Sequence, residues 1–334
     1  MFSVFYILTL PVYVVKRKLI RFGKSAICIT LPIEWIRKNN LEKGDVIDLQ
    51  ETLHNSLEVI PSSETSRDVA RTIDLDLSGM SDAQVRYLLR AAYINGYFVI
   101  HLHKANAGII SLVREYVDDF IAAEVMEVSD ESVEIHIFWD IKNINLDNIL
   151  QRIRLLLKNL LSDTVSLLDS GNVEAKQISE SFSLLMRQVL LARRAITYAL
   201  LNAGTAKQFG YSSLELHYLS FMTEFLGNLG ESLVGFVEVL EGLDGLSVDQ
   251  LNEFASLMRS VEHYLRRLFE AQTAKKKTPF VSEAFVDFEQ TILEYRLTDD
   301  SAWGVPVLSE YIRLMVASIR QAEFVMLKME HAPK

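Results

Sequence analysis

The sequence predicts a multidomain chain of mixed class: a small β head at 14–61, a small two-layer α/β domain at 67–145, and an all-α tail of six helices at 146–329. Three observations lead there. The chain has 334 residues, more than one ordinary core requires. Apolar residues alternate with period two in short runs only as far as about residue 145. From Leu146 onward they recur at three- and four-residue spacing in long stripes, broken at regular intervals by Gly and Pro.

Composition removes several classes. Apolar residues make up 49% of the chain and charged residues 23%, with 14 Gly and 6 Pro, so disordered and fibrous chains are excluded. The single cysteine, Cys28, allows no intramolecular disulfide and no multi-Cys zinc site, which suits a reducing, cytoplasmic compartment. Phe2 to Val15 is apolar but is interrupted by Pro11 and is too short to span a membrane. Its positive charges follow it, contrary to a signal peptide, so it reads as an extra strand or as residues upstream of the native start. A chain that does not span the membrane is expected.

Net charge is −10, but it is unevenly spread. Lys16, Arg17, Lys18, Arg21, Lys24, Arg37 and Lys38 stand against one acid, Glu34, a local balance of +6 that leaves −16 for the rest. A basic head on an acidic body points to a polyanion-binding head, although basic runs also serve simply as solvated surface.

Within the head, Ala26, Cys28 and Thr30 alternate with Ile27, Ile29 and Leu31 as a strand, with Gly23 in the turn before it. Pro32 can open a helical turn over Ile33 to Asn40. Gly44-Asp45 is a turn signal, and 46–49 and 57–60 read as two further strands. Some 45 residues of short strands are near the limit for independent folding, so this head is expected to borrow a core from a second copy.

Arg21-Phe22-Gly23-Lys24-Ser25, Ile29-Thr30-Leu31-Pro32-Ile33-Glu34-Trp35 and Leu41-Glu42-Lys43-Gly44-Asp45-Val46 together resemble the AbrB/SpoVT swapped-hairpin DNA-binding domain. The resemblance implies a homodimer of interleaved hairpins whose basic strand and turn meet double-stranded DNA. By position the family's basic residues fall on Arg17, Arg21 and Lys24. Lys16, Lys18, Arg37 and Lys38 join them as phosphate contacts by charge alone. A solvated barrel surface accounts for the same side chains, and the helix dipole accounts equally well for Arg37 and Lys38.

In the middle region, 72–77 alternates as a strand. Ser81 is set to cap a helix from Asp82 to Asn95 that Gly96 closes. The run 98–103 is a strand, a helix follows from about Ile109 to Ala122, and 124–128 with 133–138 forms a terminal hairpin. The order β-α-β-α-β-β describes a two-layer domain. His101 and His103 share one strand face, a spacing that a metal could use, but no Cys, Asp or Glu stands at ligand spacing beside them in sequence, so they read as surface or packing histidines. Glu115 and Asp119 read as a solvated acidic helix face. No nucleophile–base set, phosphate-cradling loop or cofactor motif occurs, so neither an enzyme nor a cofactor is expected.

The tail carries stripes such as Ile149, Ile153, Leu157 and Leu160. Capping-box patterns stand at Ser212 to Glu215 and Ser247 to Gln250. Breaks at Gly171, Gly204–Gly210, Gly242–Gly245, Lys275–Pro279 and Asp299–Pro306 divide it into two groups of three helices, 146–240 and 247–329, which suggests two three-helix bundles. Leu184-Leu185-Met186-Arg187-Gln188-Val189 and Glu224-Phe225-Leu226-Gly227-Asn228 resemble the PhoU family, and the order of modules resembles archaeal PhoU-like phosphate-uptake regulators.

PhoU proteins pair an acid with an Asp four residues later to hold hard metal ions. Here Glu224 is kept but its partner position is Asn228. The matching positions on the second and last helices are Gln177 and Ser179, and Ile312 and Val316, so a metal-free interaction bundle is expected, with Glu224 and Asn228 the weak remaining candidates. The expected function is a homodimeric transcriptional regulator of phosphate uptake. The alternative is an adaptor whose tail docks on a phosphate transporter or signalling kinase while the head only dimerises.

Overall fold

The computed structural model describes residues 15–23, 26–51, 57–61, 71–129, 131–170, 174–243, 246–273, 290 and 304–330. The chain divides into two compact units, with the boundary between residues 69 and 70. It comprises a small β region, a mixed four-stranded sheet and a predominantly helical remainder. The apolar stretch before Val15 lies outside the described residues, as does the stretch between the expected breaks at Lys275–Pro279 and Asp299–Pro306. No helix among the described residues is long and apolar enough to cross a membrane.

The first unit contains two antiparallel hairpins and one short helix. Strand β1 (Ile20–Phe22) pairs with β2 (Ala26–Cys28), and β3 (Ile47–Glu51) pairs with β4 (Leu57–Pro61). Helix α1 (Ile33–Lys38) begins after Pro32, whose fixed φ of −64° suits a helix entrance. Gly23 has a φ of +68°, a left-handed turn position that favours glycine.

The second unit opens with β5 (Thr72–Asp76), α2 (Asp82–Ile94), β6 (Val99–His103), α3 (Ala107–Val117), β7 (Ala123–Val128) and β8 (Ser132–Ile137). The sheet order is β5-β6-β8-β7, parallel between β5 and β6 and antiparallel elsewhere. Ile100, Leu102, Val133 and Ile135 lie on its buried face and share a core with Val85 and Leu89 of α2 and Val113 and Val117 of α3. Ser81 caps α2 with a full capping box: its hydroxyl accepts from the Gln84 backbone N–H, and Gln84 Oε1 accepts from Ser81 N–H at 2.8 Å. Gly96, at φ +81°, follows the helix end.

Helix α3 ends at Val117, earlier than periodicity suggests, because Asp118 and Asp119 bring it to a turn rather than extend it. Asp119 therefore does not share a helix face with Glu115. Its carboxyl is half-buried, and burial raises its pKa above the ordinary range, while Arg90, Arg86 and Arg187 pull it back down. A carboxyl that holds its proton more tightly in the folded chain loses stability as pH rises through that window. Asp119→Asn is accordingly expected to stabilise the protein at pH 7 by a few tenths of a kcal/mol after solvent screening. The gain should vanish below about pH 4, where both states are protonated. Denaturant unfolding at the two pH values checks it, and a loss at pH 7 would mean that the arginines outweigh burial.

The long helices follow: α4 (Leu146–Ser170), α5 (Ala175–Leu201), a short α6 (Ala203–Phe209), α7 (Ser213–Glu241), α8 (Val248–Thr273) and α9 (Gly304–Glu330). The stretch expected to be a plain break at Gly204–Gly210 contains α6, which Gly210 closes in the left-handed conformation. The capping boxes at Ser212 and Ser247 both form. One apolar core runs through Ile153 of α4, Leu185 of α5, Leu229 of α7, Phe254 of α8 and Ile312 of α9. Gly230 and Gly235 permit the close approaches of α7: an added Cβ would meet the Leu185 side chain at 2.5 Å and the Tyr311 ring at 2.4 Å, respectively.

Candidate nucleic-acid interface

In the first unit the sequence leads to strands that present apolar side chains on both faces, and among the described residues too few elements stand against them to cover them. Among its described residues only Leu41 is buried. Leu19, Phe22, Ile27, Ile29, Val46 and Leu49 are all exposed, Phe22 to 71%. Each such side chain gains roughly 1.5–3 kcal/mol when fully buried, so a single copy leaves much of its stabilisation unrealised.

The basic residues stand on the same small scaffold. Lys16, Arg17 and Lys18 lie on the segment leading into β1, all exposed. Arg21 is on β1, opposite Ile27 of β2, and is exposed as well. Arg37 and Lys38 occupy the last turn of α1, with Glu34 in its first turn, which is the arrangement that complements the helix dipole. Lys24 lies outside the described residues. Among the described residues none of Lys16, Arg17, Lys18, Arg37 and Lys38 is held in an ion pair. Arg17 reaches only a neighbouring carbonyl, that of Lys16, at 3.4 Å. Unpaired surface cations of this kind keep their charge available for phosphate oxygens.

The weak metal candidates of the tail take other roles. Half-buried Glu224 and exposed Asn228 line a groove of about 410 Å³ between α2, α5 and α7, together with Tyr87, Arg90, Arg193 and Glu231. Glu224 Oε2 lies 3.9 Å from Arg193, and Glu231 Oε1 lies 4.0 Å from Arg90. Two carboxylates against two guanidiniums leave the groove without the excess negative charge that a hard cation requires. Ile312 and Val316 are fully buried in the core, and Gln177 and Ser179 are exposed on α5.

Sequence reasoning missed the partners of His101 and His103. Strand pairing sets Asp74 and Glu134 directly opposite His101, and His136 two positions beyond Glu134 on the same face. Acids therefore do stand beside the histidines, brought there by residues that are distant in sequence. The signal was present in the alternation of Ser132-Val133-Glu134-Ile135-His136, which sends Glu134 and His136 to one face, but only the register aligns them with β6. Compared with known protein families, with curated proteins and with solved structures, the chain matches none of them.

Proposed function

We propose that the chain is a homodimeric, DNA-binding regulator of phosphate uptake, in which two heads interleave to complete a core and present their cations to duplex DNA. One observation carries this reading: the head exposes its large apolar side chains while, among the described residues, Lys16, Arg17, Lys18, Arg37 and Lys38 stand at its surface outside any ion pair. A second copy would cover the former and double the latter on one assembly. The link to phosphate uptake rests on the resemblance of the tail and on the order of the modules.

The adaptor reading has its own support in the exposed Leu314 and Phe324 of α9, which offer a docking partner apolar contacts. Sedimentation of the full chain, followed by titration with duplex DNA at 50 and 200 mM salt, separates the two. A dimer whose affinity falls about 10³–10⁵-fold over that range, as 6–10 phosphate contacts require, supports the regulator. A folded monomer, or binding indifferent to salt, overturns it.

A further inference from the structure

A half-buried cation is costly unless its hydrogen bonds are made, and the second unit gathers three whose donors are largely unspent. Arg86 and Arg90 stand one turn apart on α2, and Arg187 stands on α5, which packs against α2. We propose that these three guanidiniums form a binding site for a phosphoryl oxyanion, either inorganic phosphate or the phosphate group of a small organic ester. The site lies wholly within the second unit and rests on no property of the head, so its test is independent of the DNA-binding reading.

The guanidiniums converge on one place. The Asp119 carboxyl, in the turn after α3, lies within electrostatic reach of all three. Tyr116 of α3 holds Arg86 there, with the guanidinium 4.2 Å over its ring. Leu190, one turn beyond Arg187, is buried in the core of the sheet layer with Val85 and Leu89, which turns that side of α5 toward α2. Arg86 and Arg187 are half-buried, and among the described residues neither makes an ion pair or a side-chain hydrogen bond. Arg90, its side chain 21% exposed, reaches only Glu231, at 4.0 Å, beyond hydrogen-bond length. The Nε atoms of all three are buried and have no hydrogen-bond partner among the described residues.

Three forks with unspent N–H groups select a ligand by shape and charge. A planar carboxylate offers two oxygens and fills one fork, whereas a tetrahedral phosphoryl group offers three or four and meets several forks at once. Asp119 carries at most one negative charge against three cations, and among the described residues it forms no ion pair with any of them. The other carboxylates nearby face solvent. Asp118 is exposed, Glu224 is engaged with Arg193 at 3.9 Å, and Glu231 is 52% exposed. The cations therefore lie deeper than the anions, where their field is least screened. Arg90 also lines the groove of about 410 Å³ with Tyr87 and Arg193, so the cluster opens to solvent along it, with room for the organic part of an ester.

Isothermal titration calorimetry of the full chain at about pH 7.5 and about 100 mM NaCl tests the site, with inorganic phosphate and glycerol 3-phosphate as the two probes. One anion per chain is expected. Arg86→Gln and Arg187→Gln should each weaken binding at least about tenfold, and the double variant should abolish it. Should these variants lose their circular dichroism spectrum, Arg86→Lys and Arg187→Lys take their place, since lysine keeps the charge and lacks the fork. Asp119→Asn removes the competing charge and should tighten binding severalfold, which a purely structural role for the cluster would not produce. Glycerol 3-phosphate binding more tightly than phosphate supports an ester whose body lies in the groove, and equal or weaker binding supports the free ion. Replacing Arg17 and Arg21 by Glu should leave the affinity unchanged. No binding of either probe by the wild type, binding that the double variant retains, or binding lost with the head's arginines overturns the site.

Discussion

Reversing the charge of Arg17 and Arg21 together, each to Glu, is expected to weaken binding to duplex DNA on the order of 100-fold or more while leaving the dimer intact. In a homodimer the double substitution removes four cations from one assembly and puts four anions in their place. Each lost phosphate contact also lowers the salt slope by about 0.9, so the log–log slope should become shallower by about 3.6. Arg17 and Arg21 are exposed, and the apolar side chains that a second copy would cover, Phe22 and Ile27 among them, are untouched. Fluorescence anisotropy across a salt series reads the first effect and sedimentation reads the second. Unchanged DNA affinity would leave the head as a dimerisation element and favour the adaptor.

The second large effect concerns the second unit. Arg194→Ala on α5 is expected to cost about 3–5 kcal/mol, as truncations of large buried side chains do. Arg194 is fully buried. Its Nη1 donates to the Tyr93 carbonyl at 2.5 Å, and its guanidinium lies over three rings: Tyr93 at 4.9 Å, Phe98 at 5.2 Å and Trp139 at 4.9 Å. Alanine would leave that carbonyl only its bond from the Gly96 N–H, at 3.1 Å, and open a cavity lined by the rings, whereas no carboxylate is left unpaired because none faces the guanidinium among the described residues.

Burial lowers the Arg194 pKa to about 10, so it remains charged at neutral pH and carries a desolvation cost that its three aromatic neighbours offset. Among the described residues its Nε and Nη2 have no hydrogen-bond partner. Arg194→Met keeps most of the volume and removes the buried charge, and should cost no more than about 1–2 kcal/mol. Chemical unfolding of both variants decides the matter. A methionine as damaging as the alanine would mean that the cation, rather than the packing, holds α5 against the sheet layer.

Much of the fold was legible along the chain. The alternation in 72–76, the Ser81 and Ser212 caps and the stripe from Ile149 to Leu160 each involve residues within one turn or one strand of each other, and each formed where its pattern stood. The end of α3 was not legible, because Val117 continues the apolar spacing while Asp118 and Asp119 turn the chain aside. Nor was α6, whose two glycines flank a segment able to form a short helix.

The candidate sites divide along the same line. The basic run of the head and the shortage of partners for its apolar strands follow from composition and order alone, since charge and hydrophobicity belong to each residue whatever its neighbours. Only the tertiary structure paired His103 with Asp74, 29 residues away, and set Arg194 on the carbonyl of Tyr93, 101 residues away. Strand register and helix packing are settled by the fit of whole surfaces, which no local pattern encodes, and they alone placed Glu134 between two imidazoles and Glu224 beside Arg193.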